Sequence, residues 1–264
     1  MTVRAGANVM NQRSVQRQER LLQALAGGGS LRLADAAMLC GVSEMTLRRD
    51  VSSKGSPLML MGGHLVRRDD PHFSPVYDLE TQRDRGVDIK TRLCQRASSY
   101  VQDGDTLFID CGTTLVPMVA ELGQRRHLTV VTYALNVANA VSHLDGVRLI
   151  LLGGLYQGVS QSFDGEDVAR QIRSLGINRA FLSAAGVHLE RGLSCFHFHE
   201  IIPKQAAIET AAQRILVFDD SKWGVLRPAF FGTLSDADII VTHGEAAAAA
   251  SASPEIAARV DSPR

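Results

Sequence analysis

The sequence has few of the features that mark secreted, disulfide-bonded or membrane-spanning proteins. Its four cysteines, Cys40, Cys94, Cys111 and Cys195, are widely scattered and form neither a CxxC pair nor a Cys/His pattern with zinc-ligand spacing. We therefore expect reduced thiols, as is usual in the cytosol, and no structural metal. No cofactor is predicted for the chain. The first residues lack the apolar stretch of a signal sequence, and no segment approaches the ~18 uninterrupted apolar residues of a membrane span. These absences predict a cytoplasmic protein that does not associate with membranes.

The chain also has no net charge, since 28 Lys and Arg residues balance 28 Asp and Glu residues. This balance hides an asymmetry. Residues 1–68 contain ten basic and four acidic residues, a formal charge of +6, so the remaining residues carry −6. A basic N-terminal part beside an acidic remainder indicates a polyanionic partner for the N-terminal part alone.

The length of 264 residues and the ordinary globular composition predict two domains. Residues 69–86 are rich in Pro and Asp and are predicted to be a linker. Polar and small residues at 1–13 and the Ala/Ser-rich residues 245–264 are predicted to be flexible tails. The two domains are therefore expected at residues 14–68 and 87–244.

Three short helices are predicted in the first domain, at residues 15–26, at 33–39 and from Ser43 to about residue 54. Serine is a favoured N-cap for the third helix. An alternating segment around two glycines, at residues 57–66, predicts a hairpin. Three helices, a Gly-Val-Ser turn before the third and a hairpin together predict a winged helix-turn-helix, whose third helix reaches DNA.

Two adjacent arginines lie on the predicted third helix. Leu47 and Val51 are four residues apart and should pack inward, which leaves Arg48 and Arg49 on the outer surface. Arginine suits guanine edges and phosphates. The run LRRD alone is more typical of a solvated basic face, but the helices, the turn and the regional charge together favour DNA. The candidate DNA-binding residues are Ser43, Glu44, Met45, Thr46, Arg48 and Arg49.

This segment resembles a known family. The run GVSEMTLRRD at residues 41–50 resembles the recognition segment of the DeoR-type family of bacterial repressors, V-S-x-x-T-[IL]-R-R-D-L. Arg20 and Leu21 fit the family's opening helix. The wing departs from the usual R-x-H-G-G form, because Met61 precedes the two glycines and His64 follows them. An apolar wing of this kind is similar to the branch that regulates deoxyribonucleoside catabolism.

The second domain alternates short apolar runs with segments of helix length. The runs are TLFID, LTVVT, VRLILL, RAFLSAA, RILVFD and ADIIVT. Such a repeat predicts an α/β fold with a parallel sheet covered by helices on both faces. Ligands of open parallel sheets bind at the carboxyl ends of the strands. Polar or glycine-rich groups occur at four of these ends, at residues 110–114, Asn136, Gly153–Gly154 and Asp219–Lys222.

Each of these four groups has a simpler interpretation as a turn, and their shared position favours a ligand site. The DCGTT run also suits a phosphate, through backbone N–H groups and hydroxyls. It resembles the phosphate loop of the DeoR-type sensor domain, and DDSKWG resembles that domain's D-x-S-K-F-G. The E-x-x-x-K and SAAGVH segments match as well. The resemblance implies effector contacts from Asp110, Cys111, Gly112, Thr113, Thr114, Asn136, Gly153, Gly154, Gly186, Glu200, Lys204, Asp219 and Lys222.

The resemblance covers about residues 17–242 and implies a repressor with a sensor domain similar to ribose 5-phosphate isomerase. Operator DNA and a sugar phosphate are the expected partners. The SAAGVH and GLSCF segments are closest to the deoxyribonucleoside branch and favour deoxyribose 5-phosphate. One recognition helix reads few base pairs, so a homo-oligomer is expected.

The alternative is a pentose-phosphate isomerase, in which Glu200 would transfer a proton and Lys222 would stabilise an enediolate. A DNA-binding domain has no use on a metabolic isomerase, so no catalytic residue is predicted. Three histidines, His188, His197 and His199, lack a cysteine or carboxylate cluster at ligand spacing, so no metal site is predicted either.

Overall fold

The structure is a computed structural model that describes residues 12–25, 30–53, 55–61, 64–68 and 86–263. The chain forms two compact units, Met1–Pro75 and Val76–Arg264. Several sequence predictions lie outside the described residues: most of the N-terminal tail, the two wing glycines and all but the last residue of the linker.

The N-terminal unit contains three helices and a small antiparallel sheet. Its elements are α1 (Gln12–Ala24), β1 (Leu31–Arg32), α2 (Leu33–Cys40), α3 (Glu44–Val51), β2 (Leu58–Met61) and β3 (His64–Arg67). The sheet has the order β1-β3-β2. Leucines from all three helices and from the hairpin share one core. The predicted helix-turn-helix with a hairpin is therefore confirmed.

The turn between α2 and α3 follows directly from its sequence. Gly41 adopts a φ of +63°, a backbone conformation that favours glycine at the end of a helix. Its N–H donates to Met38 O at 3.1 Å. Ser43 then caps α3, where its hydroxyl accepts from Thr46 N at 3.3 Å. The Gly-Val-Ser turn thus ends one helix and starts the next.

The larger unit is built around a seven-stranded sheet with the order β15-β14-β12-β9-β4-β5-β6, in which every pairing is parallel. This confirms the predicted α/β class. Its elements are α4 (Val87–Ser98), β4 (Thr106–Ile109), α5 (Met118–Leu122), β5 (Thr129–Thr132), α6 (Leu135–Val141), β6 (Arg148–Leu151), β7 (Leu155–Gln157), β8 (Ser162–Asp164), α7 (Glu166–Arg173), β9 (Arg179–Ser183), β10 (Gly186–His188), β11 (Gly192–Cys195), α8 (Ile201–Thr210), β12 (Gln213–Val217), β13 (Ala229–Gly232), β14 (Ile239–Val241), α9 (Gly244–Ser251) and β15 (Val260–Asp261).

The strand order reverses in the middle of this sheet. From β4 the chain proceeds through β5 to β6 on one side, and it then crosses to β9 and continues to β12, β14 and β15 on the other. Such a reversal opens a crevice at the carboxyl ends of the two strands beside it. The topology therefore places the expected ligand site between the ends of β4 and β9.

Two small antiparallel sheets stand outside this framework: a β7–β8 hairpin and a three-stranded β10-β11-β13 sheet. Neither was predicted from the sequence. In the second, Gly192 has a φ of +86° and lies so close to Gly232 O that a side chain would overlap it. Glycine at this position therefore allows the start of β11 to pack closely on the end of β13.

The C-terminal residues correct one prediction. Residues 245–264 were expected to be a flexible tail, but α9 buries Ala246 and Ala250 against the core and β15 joins the sheet edge beside β14. Asp261 also accepts from Arg96 Nε at 2.7 Å. The expectation is wrong for residues 245–263, because alanine favours helix and its small side chain packs closely. No helix in the described part of the chain is long and apolar enough to cross a bilayer.

Candidate functional site

The outer face of α3 carries the predicted DNA-binding residues. Leu47 and Val51 are buried, as the four-residue spacing predicted. Arg48 and Arg49 are exposed, and so are Ser43, Glu44 and Met45, whereas Thr46 is half-buried. The helix therefore presents both guanidinium groups and its N-terminus to solvent.

Asp50, the residue after the two arginines, connects this helix to α1 by hydrogen bonds. Its carboxylate accepts from Ser14 Oγ and from Arg17 Nε, both at 2.8 Å. Gln18 Nε2 donates to Asp50 O at 2.9 Å. Sequence reasoning missed this role, because the partners are more than thirty residues away in α1. The contacts fix α3 against α1.

A cleft lies at the reversal point of the large sheet, with a volume of about 470 Å³ that includes its open mouth. Loops that follow β4 and β9, the end of β11, the start of α8 and a short turn after β12 form its walls. Seven of the thirteen predicted effector residues line it. The lining residues are Cys111, Gly112, Thr113, Thr114, Ser183, Ala184, Ala185, Cys195, Phe196, Glu200, Lys204 and Lys222.

Residues 111–114, which follow β4 and form the glycine-threonine loop, are held closely by their neighbours. A side chain at Gly112 would overlap the hydroxyl of Ser183, so the close approach requires glycine. On its other side, Lys90 Nζ donates to Thr113 Oγ1 at 3.4 Å. The Cys94 thiol donates to Thr114 O at 2.8 Å. The loop is thus attached to the face of α4 that carries residues 90 and 94.

Beneath this loop lies a buried ion pair. Asp110 is fully buried and accepts from Lys204 Nζ, from Tyr133 Oη at 2.7 Å and from Ser183 Oγ at 2.9 Å. Burial alone would raise the pKa of Asp110, but the ammonium and the other donors hold it below its usual value. Asp110 was predicted as an effector ligand, and the structure places it behind the cleft lining as the counter-charge of Lys204.

Glu200 lies beside this ion pair and, like Lys204, lines the cleft. Burial raises the pKa of its carboxyl to about 7, although the Lys204 ammonium, 3.8 Å away, opposes the rise. The Cys111 thiol approaches Glu200 Oε2 at 3.7 Å. Near neutral pH the group is therefore present both as a carboxylate and as a carboxylic acid, which can donate a hydrogen bond to a ligand oxygen.

Two further predicted residues support the cleft without lining it. Asn136 Nδ2 donates to Cys111 O at 3.2 Å, which fixes the start of the glycine-threonine loop. Asp219 accepts from Ser221 N at 3.1 Å and caps the turn that carries Lys222. Both side chains therefore position residues that line the cleft.

The predicted glycines 153, 154 and 186 are also absent from the described cleft lining. A side chain at Gly154 would overlap Asp164 O, and one at Gly186 would meet Val225 O at 2.5 Å. Both glycines allow close backbone packing of the small sheets. Gly153 has open space around its backbone, so its role as a ligand contact stays a prediction.

Several lining residues were missed from the sequence. Ser183 ends β9, and Ala184 and Ala185 follow it, so their position at a strand end was a signal that could have found them. Cys195 ends β11 and Phe196 follows it, and the small sheet that brings them to the cleft was not predicted. The Arg227 guanidinium lies 4.6 Å from the centre of the Phe196 ring.

The histidines near the cleft form a stacked pair. The rings of His197 and His199 are 5.1 Å apart and nearly parallel, and Ser160 Oγ lies 2.8 Å from His199 Nε2. Burial lowers the pKa of both rings. Within the described residues, no group of three or more His, Cys, Asp or Glu side chains is arranged to hold a metal ion.

Glu200 should give the stability of this unit a distinctive pH dependence. Its pKa is about 7 in the folded chain against 4.5 for the free group, so the folded state binds an extra proton between these values. The stabilisation of the folded state by this extra proton is fully present below about pH 4.5, and it is lost as the pH rises through about 7. Glutamine does not titrate, so between about pH 5 and pH 8 the free energy of unfolding of Glu200→Gln should rise by roughly 1–3 kcal/mol relative to that of the wild type. Urea unfolding followed by Trp223 fluorescence checks this, and parallel pH profiles would contradict it.

Comparison with known proteins agrees with the two units. Residues 86–244 match the family described as DeoR C terminal sensor domain, and residues 17–54 match the DeoR-like helix-turn-helix domain. The deoxyribose operon repressor of Escherichia coli (strain K12) is 37% identical over 233 residues, which cover 88% of this chain and 92% of that one. The HTH-type transcriptional regulator IolR of Bacillus subtilis (strain 168) is 30% identical over 213 residues, covering 80% and 83%.

Among solved structures, ribose 5-phosphate isomerase A from Methanocaldococcus jannaschii aligns with a TM-score of 0.40 and 16% identity, covering 52% of this chain and 54% of that one. A likeness of that size carries no argument about ligand or reaction. The sequence relatives are transcriptional regulators, and the helix-turn-helix match agrees with them. These relatives favour a regulator over the isomerase alternative. The chain belongs to the DeoR family of DNA-binding transcriptional repressors.

Proposed function

We propose that this repressor binds operator DNA through α3 and that a sugar phosphate in the cleft controls the binding. The observation that carries the proposal is the cleft itself, in which a glycine-threonine loop, Lys222 and Glu200 converge at the reversal point of the sheet. Deoxyribose 5-phosphate is the favoured effector, supported by the 37% identity to a deoxyribose operon repressor. The chain would then act in the cytoplasm to regulate deoxyribonucleoside or sugar catabolism.

On the DNA side, Arg48 and Arg49 would contact base edges or phosphates, because both are exposed on the outer face of α3. Glu44, Met45 and Thr46 occupy the first turn, which reaches the major groove in such units. Ser43 has its hydroxyl on Thr46 and would contribute mainly by orienting the helix N-terminus toward a phosphate. One such helix covers few base pairs, so we expect two or more copies of the chain on each operator.

The phosphate of the effector would bind at the glycine-threonine loop. Backbone N–H groups in a tight turn and the hydroxyls of Thr113 and Thr114 are suitable donors for phosphate oxygens. The Lys222 ammonium would add a charge-assisted hydrogen bond from the facing turn. The Lys204 ammonium is already neutralised by Asp110, so it would organise the cleft floor instead of competing for the phosphate.

The sugar would then lie across the remaining lining, with Glu200 as the group that accepts from or donates to its hydroxyls. To act as a switch, the ligand must bind the DNA-incompetent arrangement more tightly than the competent one. Lys90 and Cys94 attach the loop to α4, so a change in the loop on phosphate binding would be transmitted to α4.

Lys222→Ala should separate effector binding from DNA binding. Loss of one charge-assisted hydrogen bond is expected to weaken the affinity for deoxyribose 5-phosphate by about 10- to 100-fold. Operator affinity without ligand should not change. Isothermal titration calorimetry of the full chain measures the first quantity, and operator anisotropy measures the second.

The exposed Arg125 supplies a matched control, because Arg125→Ala removes one cation from the same unit away from the cleft. A normal affinity in Lys222→Ala would remove that residue from the site. Absence of binding heat for both deoxyribose and ribose 5-phosphate at millimolar concentrations would reject the proposed effector class.

A further inference from the structure

Two buried residues define the outward direction of α3. Leu47 and Val51 are buried in the core of the N-terminal unit. Successive residues of an α-helix are rotated by about 100° about its axis, so Arg49 lies opposite the mean direction of these two side chains. Met45, one turn before Arg49, lies close to the same outward line, whereas Arg48 lies on the flank of the helix. The two arginines therefore face different parts of a DNA duplex.

Contacts with α1 fix the rotation of α3 about its own axis. The Asp50 carboxylate accepts from Ser14 Oγ and from Arg17 Nε, both at 2.8 Å, and Asp50 O accepts from Gln18 Nε2 at 2.9 Å. Asp50 directly follows Arg49, so these bonds keep Arg49 from turning toward the core. The outward line of α3 therefore has a defined direction before any DNA is bound.

Met45 places a large apolar side chain beside this outward line. The side chain is 67% exposed and lies in the first turn of α3, the part of a recognition helix that reaches base edges. The C5-methyl group of thymine is the apolar group that base edges offer in the major groove. An unbranched thioether adapts its shape to such a partner. The chemistry of this position thus matches thymine.

We propose that Met45 reads the C5-methyl group of a thymine in each operator half-site, near a guanine that Arg49 reads, while Arg48 holds a phosphate. The proposal rests on the proposed function, because it assumes that α3 enters the major groove. Arg49 forms two hydrogen bonds, with guanine O6 and N7. One helical turn rises about 5.4 Å and base pairs are stacked about 3.4 Å apart. With α3 lying along the groove, the thymine is within about two base pairs of the guanine.

Arg48 has a separate role because it lies on the flank of the helix. The sugar-phosphate backbones border the groove on both sides of a bound helix, and a guanidinium there makes contacts that carry no sequence information. Loss of Arg48 therefore lowers the affinity for every DNA sequence by a similar factor. Loss of Arg49 or Met45 lowers it mainly for the selected sequence.

Replacement of thymine by deoxyuridine tests the Met45 contact, because it removes only the C5-methyl group. The full chain selects its operator from a random DNA pool, and each thymine of that operator is then replaced in turn. Anisotropy should show one thymine per half-site whose replacement costs the wild type about fourfold in affinity, the effect of one buried CH₂-sized group. Met45→Ala should bind the thymine and deoxyuridine operators equally. Met38→Ala, which changes a methionine on α2 that is 76% exposed, should keep the wild-type difference.

Single arginine variants test the other two assignments. Arg49→Ala should lose about 10- to 100-fold in preference for guanine over the other bases at one position of each half-site. Arg48→Ala should select the same sequence as the wild type and should bind selected and random DNA more weakly by the same factor. Its plot of log affinity against log salt should be shallower by about one for each bound copy.

The outcomes separate this proposal from the one it rests on. If the wild type selects no sequence from the pool, the DNA-binding part of the proposed function fails. If it selects a sequence in which no thymine is sensitive to loss of its methyl group, or if Met45→Ala keeps that sensitivity, the proposed function stands and the role of Met45 is overturned. An exchange of the two arginine phenotypes would overturn the orientation assigned to α3. A methyl effect that Met45→Ala abolishes and Met38→Ala keeps supports the proposal.

Discussion

Arg48→Ala/Arg49→Ala is expected to abolish operator binding, with a loss of at least about a hundredfold in affinity. Each arginine that reads a base or holds a phosphate contributes roughly 1–3 kcal/mol, and both are removed from every copy on the operator. The plot of log affinity against log salt should also become shallower by about one for each lost phosphate contact. Fluorescence anisotropy of a labelled operator, selected by the chain from a random DNA pool, measures both quantities.

The matched control removes two arginines from another exposed helix. Arg170 and Arg173 lie on α7 in ion pairs with exposed carboxylates, so Arg170→Ala/Arg173→Ala changes the net charge equally. This control should bind DNA nearly as the wild type does. Equal losses in both double variants would indicate a general charge effect and would contradict the assignment of α3 as the recognition helix.

Lys204→Met should destabilise the larger unit by about 3–5 kcal/mol. The variant leaves the buried Asp110 carboxylate without its counter-charge, and the Tyr133 and Ser183 hydrogen bonds cannot replace an ammonium. The methionine side chain can still pack, because the centre of the Phe231 ring lies 4.9 Å from Lys204 Nζ. Urea unfolding followed by the fluorescence of Trp223, the single tryptophan, measures the change in this unit.

A second variant isolates the ion pair from general packing. Asp110→Asn/Lys204→Met removes both charges of the pair and should recover much of the lost stability. Glu200 loses the ammonium that opposes the rise of its pKa, so we expect it to be protonated in this variant and to leave no buried charge. Arg125→Met on the surface should change stability by less than about 0.5 kcal/mol. If Lys204→Met costs no more than this surface change, the buried pair does not stabilise the cleft floor.

Much of the architecture was predictable because its signals are local. Five of the six predicted strands lie inside the parallel sheet, where both faces are covered and the sequence becomes a continuous apolar run. The sixth, β6, is an edge strand of that sheet. The helix-turn-helix could also be predicted, since Gly41 ends α2 and Ser43 caps α3 through contacts with residues close by in the sequence. Residues 110–114 could be placed at a strand end because they directly follow the apolar run that forms β4.

The remaining features depend on contacts between distant residues. Tyr133 gave no sign that its hydroxyl would reach Asp110, and Cys195 reaches the cleft only because β11 pairs in a small sheet. The Ala/Ser composition of residues 245–251 suggested a tail, although two alanines at helical spacing find a core to pack on. Asp110 was predicted to contact the effector, but it is fully buried and forms an ion pair with Lys204. The sequence did not show that this carboxylate would be buried behind the cleft lining.

The most direct test of the account is the effect of a sugar phosphate on the preformed operator complex. Labelled operator bound by the full chain is titrated with deoxyribose 5-phosphate while anisotropy is recorded. We predict release of the wild type at concentrations that fill the cleft, and release of Lys222→Ala only at about 10- to 100-fold higher concentration. An operator complex that is unchanged when calorimetry shows the cleft to be saturated would contradict control of DNA binding from this site.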